Sequence, residues 1–339
     1  MVRFYYCLIW LCLHGNLVLA RCGDAAFLED AHLPSPGLIR KYGYPFEEHK
    51  IETNDGFLLT AHRIPKRGGP PVLLVHGLQD SSAAWLVNGP DKALAYLLSN
   101  RGYDVWMLNV RGNRYSRRHI NYKPRQRQFW DFSFHEIGIY DLPATIDYIL
   151  NRSGGYRRLA YRSCIYEFPP QSKVLKKVFY KLCTVILHKS CTFLIMKLAG
   201  VDYRQLNSTT IQIYIGHFPA GGSVKSFDHY AQQINSGGFF KYNYRSVAKN
   251  RRAYGSAKPP AYKLGNVDCK VALYYGKNDL LAAVKDVQHL RNELPNVVHD
   301  ELLTYRKFNH IDFLVAIDVR KLLYDSMFSV MKRVENGEL

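Results

Sequence analysis

The sequence predicts an α/β fold: a mostly parallel central sheet covered by helices, with a helical cap inserted between its two halves. Three observations carry that expectation. Short apolar runs alternate with segments of helical period, several of those runs close in turns that contain glycine, and a mixed basic and apolar stretch at 166–238 separates two regions of this kind. A chain of 339 residues, 47% hydrophobic and 14% aromatic, is long enough for one large α/β domain or two small ones and is unlike a disordered protein.

Residues 1–20 carry a positive charge at Arg3, an apolar stretch from Phe4 to Leu13, and small or apolar side chains at Val18, Leu19 and Ala20, which is the pattern of a cleaved secretory signal. A membrane anchor is the weaker alternative, because His14, Gly15 and Asn16 break the run well short of the roughly 20 apolar residues that span a bilayer. No other segment is long and apolar enough to span one, so a soluble lumenal or extracellular product without a transmembrane anchor is expected.

The first part of the core is expected at 21–165. Val72–Val75 reads as a strand ending in His76-Gly77-Leu78, Lys92–Asn100 as a helix stopped at Gly102, and Val105–Leu108 as the next strand. Asp141 precedes a helix with Leu142, Ile146, Ile149 and Leu150 on one face, where Pro143 is tolerated in the first turn. Arg158–Tyr161 then reads as a strand. The cap-like insertion at 166–238 holds a helix at Lys173–Leu198 followed by irregular sequence. The second part of the core, 239–339, contains the strand Lys270–Tyr275, closing at Gly276, and a last helix at Ile311–Arg333. That helix carries a core stripe of Val315, Val319, Leu322, Leu323, Met327 and Val330.

Charge and cysteine usage narrow the function classes. The formal charge is +18, and Arg114, Arg117, Arg118, Lys123, Arg125 and Arg127 concentrate it in the run from Arg111 to Arg127. No nucleic-acid module accompanies that run, so solubility or attraction to anionic lipid surfaces is the better reading of it. Of seven cysteines, Cys7 and Cys12 leave with the signal; Cys22, Cys164, Cys183, Cys191 and Cys269 remain. One bridge, Cys183 to Cys191, is compatible with that odd count, and a free thiol is left unless it pairs between chains. No cysteine or histidine cluster has metal-ligand spacing, so neither metal nor cofactor is expected. Asn151-Arg152-Ser153 and Asn207-Ser208-Thr209 are glycosylation sequons.

Asp279 and His310 carry the chemistry. In the α/β-hydrolase arrangement the partners occur in the order nucleophile, acid, base, each on a loop at the C-terminal end of a strand. Asp279 follows the strand Lys270–Tyr275 in Gly276-Lys277-Asn278-Asp279, and His310 stands just ahead of the last helix. Each alone has an ordinary structural reading; the ordered pair is far more specific. Such an imidazole takes a proton from a serine hydroxyl while the carboxylate fixes its tautomer. Leu78, after His76-Gly77, is a fitting source of one oxyanion N–H. Yet Gly-x-Ser-x-Gly, the turn that presents the serine, occurs nowhere in the chain.

Long stretches resemble the acid lipases, the gastric and lysosomal lipases with their invertebrate relatives. His76-Gly77-Leu78 with Asp80-Ser81-Ser82 and Trp85 is similar to that family, as are Asp104-Val105-Trp106 through Asn109-Val110-Arg111-Gly112-Asn113 and Phe129 through Glu136. So are Gly216-His217-Phe218-Pro219-Ala220-Gly221 with Ser223, Pro259-Pro260-Ala261-Tyr262, and the segments that hold Asp279 and His310. The resemblance implies an α/β-hydrolase with a helical cap that acts on neutral lipid esters, triacylglycerol or sterol ester, in a secreted or lysosomal setting. It also implies that a Gly-His-Ser-Gln-Gly elbow should follow the strand near Tyr161, with another helix and core strand behind it. Here Arg162-Ser163-Cys164-Ile165-Tyr166 runs directly into cap-like sequence, so the core is expected to be incomplete after 158–161. Ser163 is a poor substitute nucleophile, because Tyr161 and Ile165 stand where the strained elbow needs small residues. Three readings stay open: a lipid ester hydrolase whose elbow segment is missing from this sequence, a catalytically inactive relative that binds lipid or a partner protein, and a degenerate product that folds poorly. The chain as written is expected to lack ordinary triad catalysis.

Overall fold

The computed structural model describes residues 29–153, 167–168, 180, 183 and 188–339. The expected signal at 1–20, the strand at Arg158–Tyr161, Cys22, Cys164 and Ser163 lie outside the described residues, as does half of the helix expected from Lys173.

The larger sheet consists of β1 (Glu47–Glu52), β2 (Leu58–Ile64), β3 (Pro71–Val75) and β4 (Asp104–Asn109), arranged β1-β2-β4-β3. Helix α1 (Ser35–Lys41) precedes it, and α2 (Leu94–Asn100) connects β3 to β4. β4 lies between two strands and all six of its residues are buried. A strand covered on both faces reads as a continuous apolar run, which is why Val105–Leu108 is legible in the sequence. Successive side chains leave opposite faces of such a strand. Accordingly Val105 and Met107 join one core with Leu38, Ile39, Leu97, Val319 and Leu323, whereas Trp106 and Leu108 join the other with Ile51, Leu59, Phe129 and Ile149.

Among the described residues the larger sheet is mixed rather than mostly parallel. β3 pairs parallel with β4, but β1–β2 and β2–β4 are antiparallel. The cause is local: the short turn from Glu52 to Leu58, in which Thr53 Oγ1 donates to Asp55 Oδ1 at 2.6 Å, can only reverse the chain. A second parallel pair, β7 (Val271–Tyr275) with β8 (Val297–Leu302), forms its own two-stranded sheet. Between the two, β5 (Glu167–Phe168) and β6 (Gly222–Ser223) make a short antiparallel pair.

Helix boundaries depart from the sequence reading at three places. Helix α3 (Leu142–Ser153) does not start at Asp141: a helical turn at Phe134–Glu136 and a π-helical turn at Ile137–Asp141 run into it. Its true start is a capping box, with Ser133 N–H donating to Glu136 Oε2 at 2.6 Å and Ser133 Oγ accepting from His135 N–H. The widened π turn lies just ahead of Pro143, whose ring would crowd the carbonyl of a regular preceding turn. After α4 (His188–Ala199), the expected irregular sequence contains two helices instead, α5 (Ser208–His217) and α6 (Val224–Ser236). Helices α7 (Val247–Tyr254) and α8 (Val284–Glu293) follow.

The last helix is split into α9 (Asp312–Val315), a π-helical turn at Arg320–Tyr324, and α10 (Asp325–Glu335). Gln205 is the cause. Its carbonyl accepts from Ile317 N–H at 3.0 Å, its side chain exchanges hydrogen bonds with Asp318, and Leu206 bridges to Ala316, so 316–318 is drawn out of the helix. Val315, Val319, Leu323 and Val330 of the expected stripe are nonetheless buried.

A third core joins the insertion to the rest: Met196, Ala199, Ile211 and Ile215 pack with Ala83, Ile311 and Val315. Cys183 and Cys191 form a disulfide within it, and Cys269 is an exposed free thiol.

Candidate active site

Two loops at the C-terminal ends of β7 and β8 build the site. β7 ends at Gly276, where any side chain would meet the backbone: a Cβ there would lie 2.3 Å from the Phe308 carbonyl oxygen. Asn278 N–H donates to that carbonyl at 3.3 Å, which binds the two loops together. Asp279 and His310 then face each other, with His310 Nδ1 at 3.0 Å from Asp279 Oδ2. The other carboxylate oxygen, Oδ1, accepts from the N–H groups of Leu281 and Ala282, both at 2.8 Å. Burial pushes the Asp279 carboxyl up, but the hydrogen bonds from His310, Ala282 and Leu281 outweigh it and hold the group below its ordinary value. A carboxylate at Nδ1 favours the tautomer that carries its proton on that nitrogen. Nε2 has no partner among the described residues, and the imidazole is 46% exposed while Asp279 is 3% exposed.

The end of α4 holds this pair in register. The Ala199 carbonyl, at the end of α4, accepts from His310 N–H at 3.2 Å and from Leu280 N–H at 3.4 Å. Gly200 passes between the loops with φ +113°, and a Cβ on it would lie 1.8 Å from the Asn278 carbonyl oxygen. Asn309 completes the tie: Nδ2 donates to the Gly200 carbonyl at 2.8 Å, and Oδ1 accepts from Ile311 and Asp312 N–H. Sequence reasoning did not single out Gly200 or Asn309. A glycine directly after a helical run and an asparagine beside the candidate base were the available signals.

Leu78 lies on the loop after β3. Its N–H donates to no acceptor among the described residues. The preceding His76 is buried, which pushes its imidazole down to about 4. It is therefore neutral, and its Nε2 accepts from Val110 N–H at 3.2 Å and from Asn113 Nδ2 at 3.0 Å. Gln79, next in the chain, holds a left-handed backbone at φ 67°, and its carbonyl accepts from Ala220 N–H at 2.5 Å. No hydrogen bond joins Leu78 to Asp279 or His310. The connection is through packing, since Ala83 shares a core with Ile311 and Val315.

The remaining candidates fall elsewhere. Ser163 lies outside the described residues. Ser223 is structural: its buried hydroxyl donates to the Trp130 carbonyl at 2.9 Å and accepts from Lys225 N–H as the cap of α6. Asn151 is exposed near the end of α3, and Asn207 caps α5, accepting from Thr209 and Thr210 N–H through Oδ1. Among the described residues no group of three or more His, Cys, Asp or Glu is placed to hold a metal ion, and no helix is long and apolar enough to cross a membrane.

Comparison with known proteins identifies the family. The family described as "Partial alpha/beta-hydrolase lipase region" matches residues 36–89, and that described as "alpha/beta hydrolase fold" matches 70–157. Lipase 1 of Drosophila melanogaster is 38% identical over 361 residues, covering 91% of this chain and 82% of that protein. Lipase 3 of the same organism is 33% identical, with 96% of each chain covered. Human gastric triacylglycerol lipase is 32% identical, covering 87% of this chain and 89% of its own length. On the strength of these relatives, the chain belongs to the acid lipase family of the α/β-hydrolase superfamily.

Proposed function

We propose that this protein carries the acid and base of a Ser-Asp-His hydrolase of neutral lipid esters, triacylglycerol or sterol ester, and that the 339-residue chain, lacking the serine elbow, does not turn such esters over. The observation that carries this reading is the 3.0 Å contact between Asp279 and His310 Nδ1, with Nε2 left open. In this role Asp279 fixes the tautomer, Nε2 takes the proton of an attacking serine hydroxyl, and the Leu78 N–H is one donor to the oxyanion. The second donor belongs to the residue after the serine, on the same absent elbow.

Alignment length supports a missing segment. The match to Lipase 1 runs over 361 residues but draws on 91% of a 339-residue chain, about 308 positions, which leaves roughly 50 aligned positions of the relative without a counterpart here. The proposed setting is secreted or lysosomal, reached through the signal at 1–20, with glycans on Asn151 and Asn207.

A fluorophosphonate that labels activated serines tests the reading directly. The chain as written is expected to stay unlabelled. A chimera that receives the corresponding segment of Lipase 1 after Tyr161 is expected to label and to hydrolyse a short-chain ester, and to lose at least about 1,000-fold in kcat on His310→Ala. Labelling of the unaltered chain that disappears in Ser163→Ala would sink the proposal. Amplifying the transcript across codons 155–175 separates the remaining alternatives: a product of the given length leaves a lipid- or partner-binding relative without turnover or a degenerate product that folds poorly, and a longer one encoding Gly-x-Ser-x-Gly supports the hydrolase.

A further inference from the structure

We propose that a basic cavity over the β1–β2 hairpin binds a phosphate monoester, carried either by a small soluble molecule or by a lipid headgroup. The site shares no lining residue with the loops of Asp279 and His310, and the inference holds whether or not the chain hydrolyses esters.

The cavity has a volume of about 490 Å³. Strand alternation supplies its floor: Glu48 and Lys50 leave β1 on one face, and Thr60 stands opposite Lys50 in register. The segment after β4 supplies its wall, with Arg114, Arg117 and Arg118 lining the same space. That segment is not a dangling loop. Thr60 N–H donates to Ser116 Oγ and Thr60 Oγ1 to the Tyr115 carbonyl, both at 2.8 Å, while Leu58 N–H donates to the Arg118 carbonyl at 3.0 Å. The backbone therefore fixes where the cations start.

Four cationic side chains line the cavity against one carboxylate, Glu48, which Lys50 Nζ contacts at 2.6 Å. Like charges brought together on a fixed frame repel, and a bound dianion offsets that cost. Arg114 is held in place from behind: one of its terminal nitrogens donates to the His217 carbonyl, which fixes its guanidinium at the cavity wall. Guanidinium groups match phosphate oxygens with paired donors, so arginines on one wall suit phosphate better than a single-point anion. The volume lies within the roughly 300–1,000 Å³ typical of small-molecule pockets and exceeds what inorganic phosphate alone would fill. Leu58 and the Tyr115 ring are positioned to face the organic part of an ester.

The test titrates the full chain with glycerol 3-phosphate by calorimetry and, separately, follows cosedimentation with phosphatidylcholine vesicles with and without phosphatidic acid. Saturable binding of glycerol 3-phosphate assigns a soluble ligand; binding only to vesicles that contain phosphatidic acid assigns a headgroup. In either case Lys50→Gln/Arg118→Gln is expected to weaken binding at least about tenfold. Glu48→Gln is expected to tighten it several-fold, an effect that a folding defect cannot produce. Binding to neither probe, equal binding by the double variant, or no gain in a Glu48→Gln variant that melts with the wild type overturns the proposal.

Discussion

Asp312, at the start of α9, and Asp279, on the loop after β7, are tuned in opposite directions. Burial pushes the Asp312 carboxyl up, the Asn309 N–H that donates to it pulls it down, and nearby Asp202 raises it again, so that it settles at about 7. Because that value lies above the ordinary carboxylate range, the folded state holds the proton more tightly than the unfolded state. The resulting stabilisation grows as pH falls through 7 and is complete once the unfolded group is also protonated, near pH 4. Asp279 has the opposite sign: its stabilisation is present above the unfolded value and is lost as pH falls through its depressed folded one. Thermal melts from about pH 8 to about pH 5 are therefore expected to show a smaller rise in Tm for Asp312→Asn than for the wild type. Equal slopes would show that burial does not set this carboxyl.

At the scale of elements, the end of α4 positions both loops of the candidate site. Gly200→Ala introduces a Cβ into the Asn278 carbonyl and against the Asn309 Cβ, and does so at a φ that side chains rarely adopt. The expected cost is about 2–4 kcal/mol of stability. In an elbow-restored chain the same variant is expected to lower kcat more than it raises KM, because the acid–base pair is displaced while the cap is retained. A loss confined to KM would argue against that tie. These contacts explain the limits of the sequence reading. Asp279 was legible as a polar residue directly after an apolar strand and a glycine, whereas the Asn309–Gly200 bond joins residues 109 apart and Gln205 breaks the final helix from 113 positions away. No local period encodes such meetings. The Ser133-x-x-Glu136 box is different, since it was readable and marks the helix start better than Asp141 does.

Across the whole molecule, one buried cation gathers separate parts of the N-terminal half. Arg111 is fully enclosed. Its Nε donates to Asp141 Oδ1 at 2.7 Å, ahead of α3, and its terminal nitrogens donate to Asp55 in the β1–β2 turn at 2.6 and 2.9 Å. Burial alone would depress this guanidinium's pKa, but Asp141 and Asp55 raise it above its ordinary value. Arg111→Ala strands two carboxylates in a dry interior and is expected to cost about 3–5 kcal/mol. Part of that loss should return in mild acid, because an unpaired buried carboxyl takes up a proton more readily than an unfolded one. A urea midpoint equally depressed at neutral and acidic pH would contradict this assignment.

The threading of Gly200 between the acid and base loops bears on how such proteins can be re-engineered. Substrate choice in a capped hydrolase invites domain grafting, with one lid exchanged for another on a constant base. Here the main chain at the end of α4 accepts hydrogen bonds from Leu280 and His310, so that segment and the two loops are not interchangeable modules. Replacing it would also shift Asp279 against His310, and on the proposed function selectivity and rate would then change together.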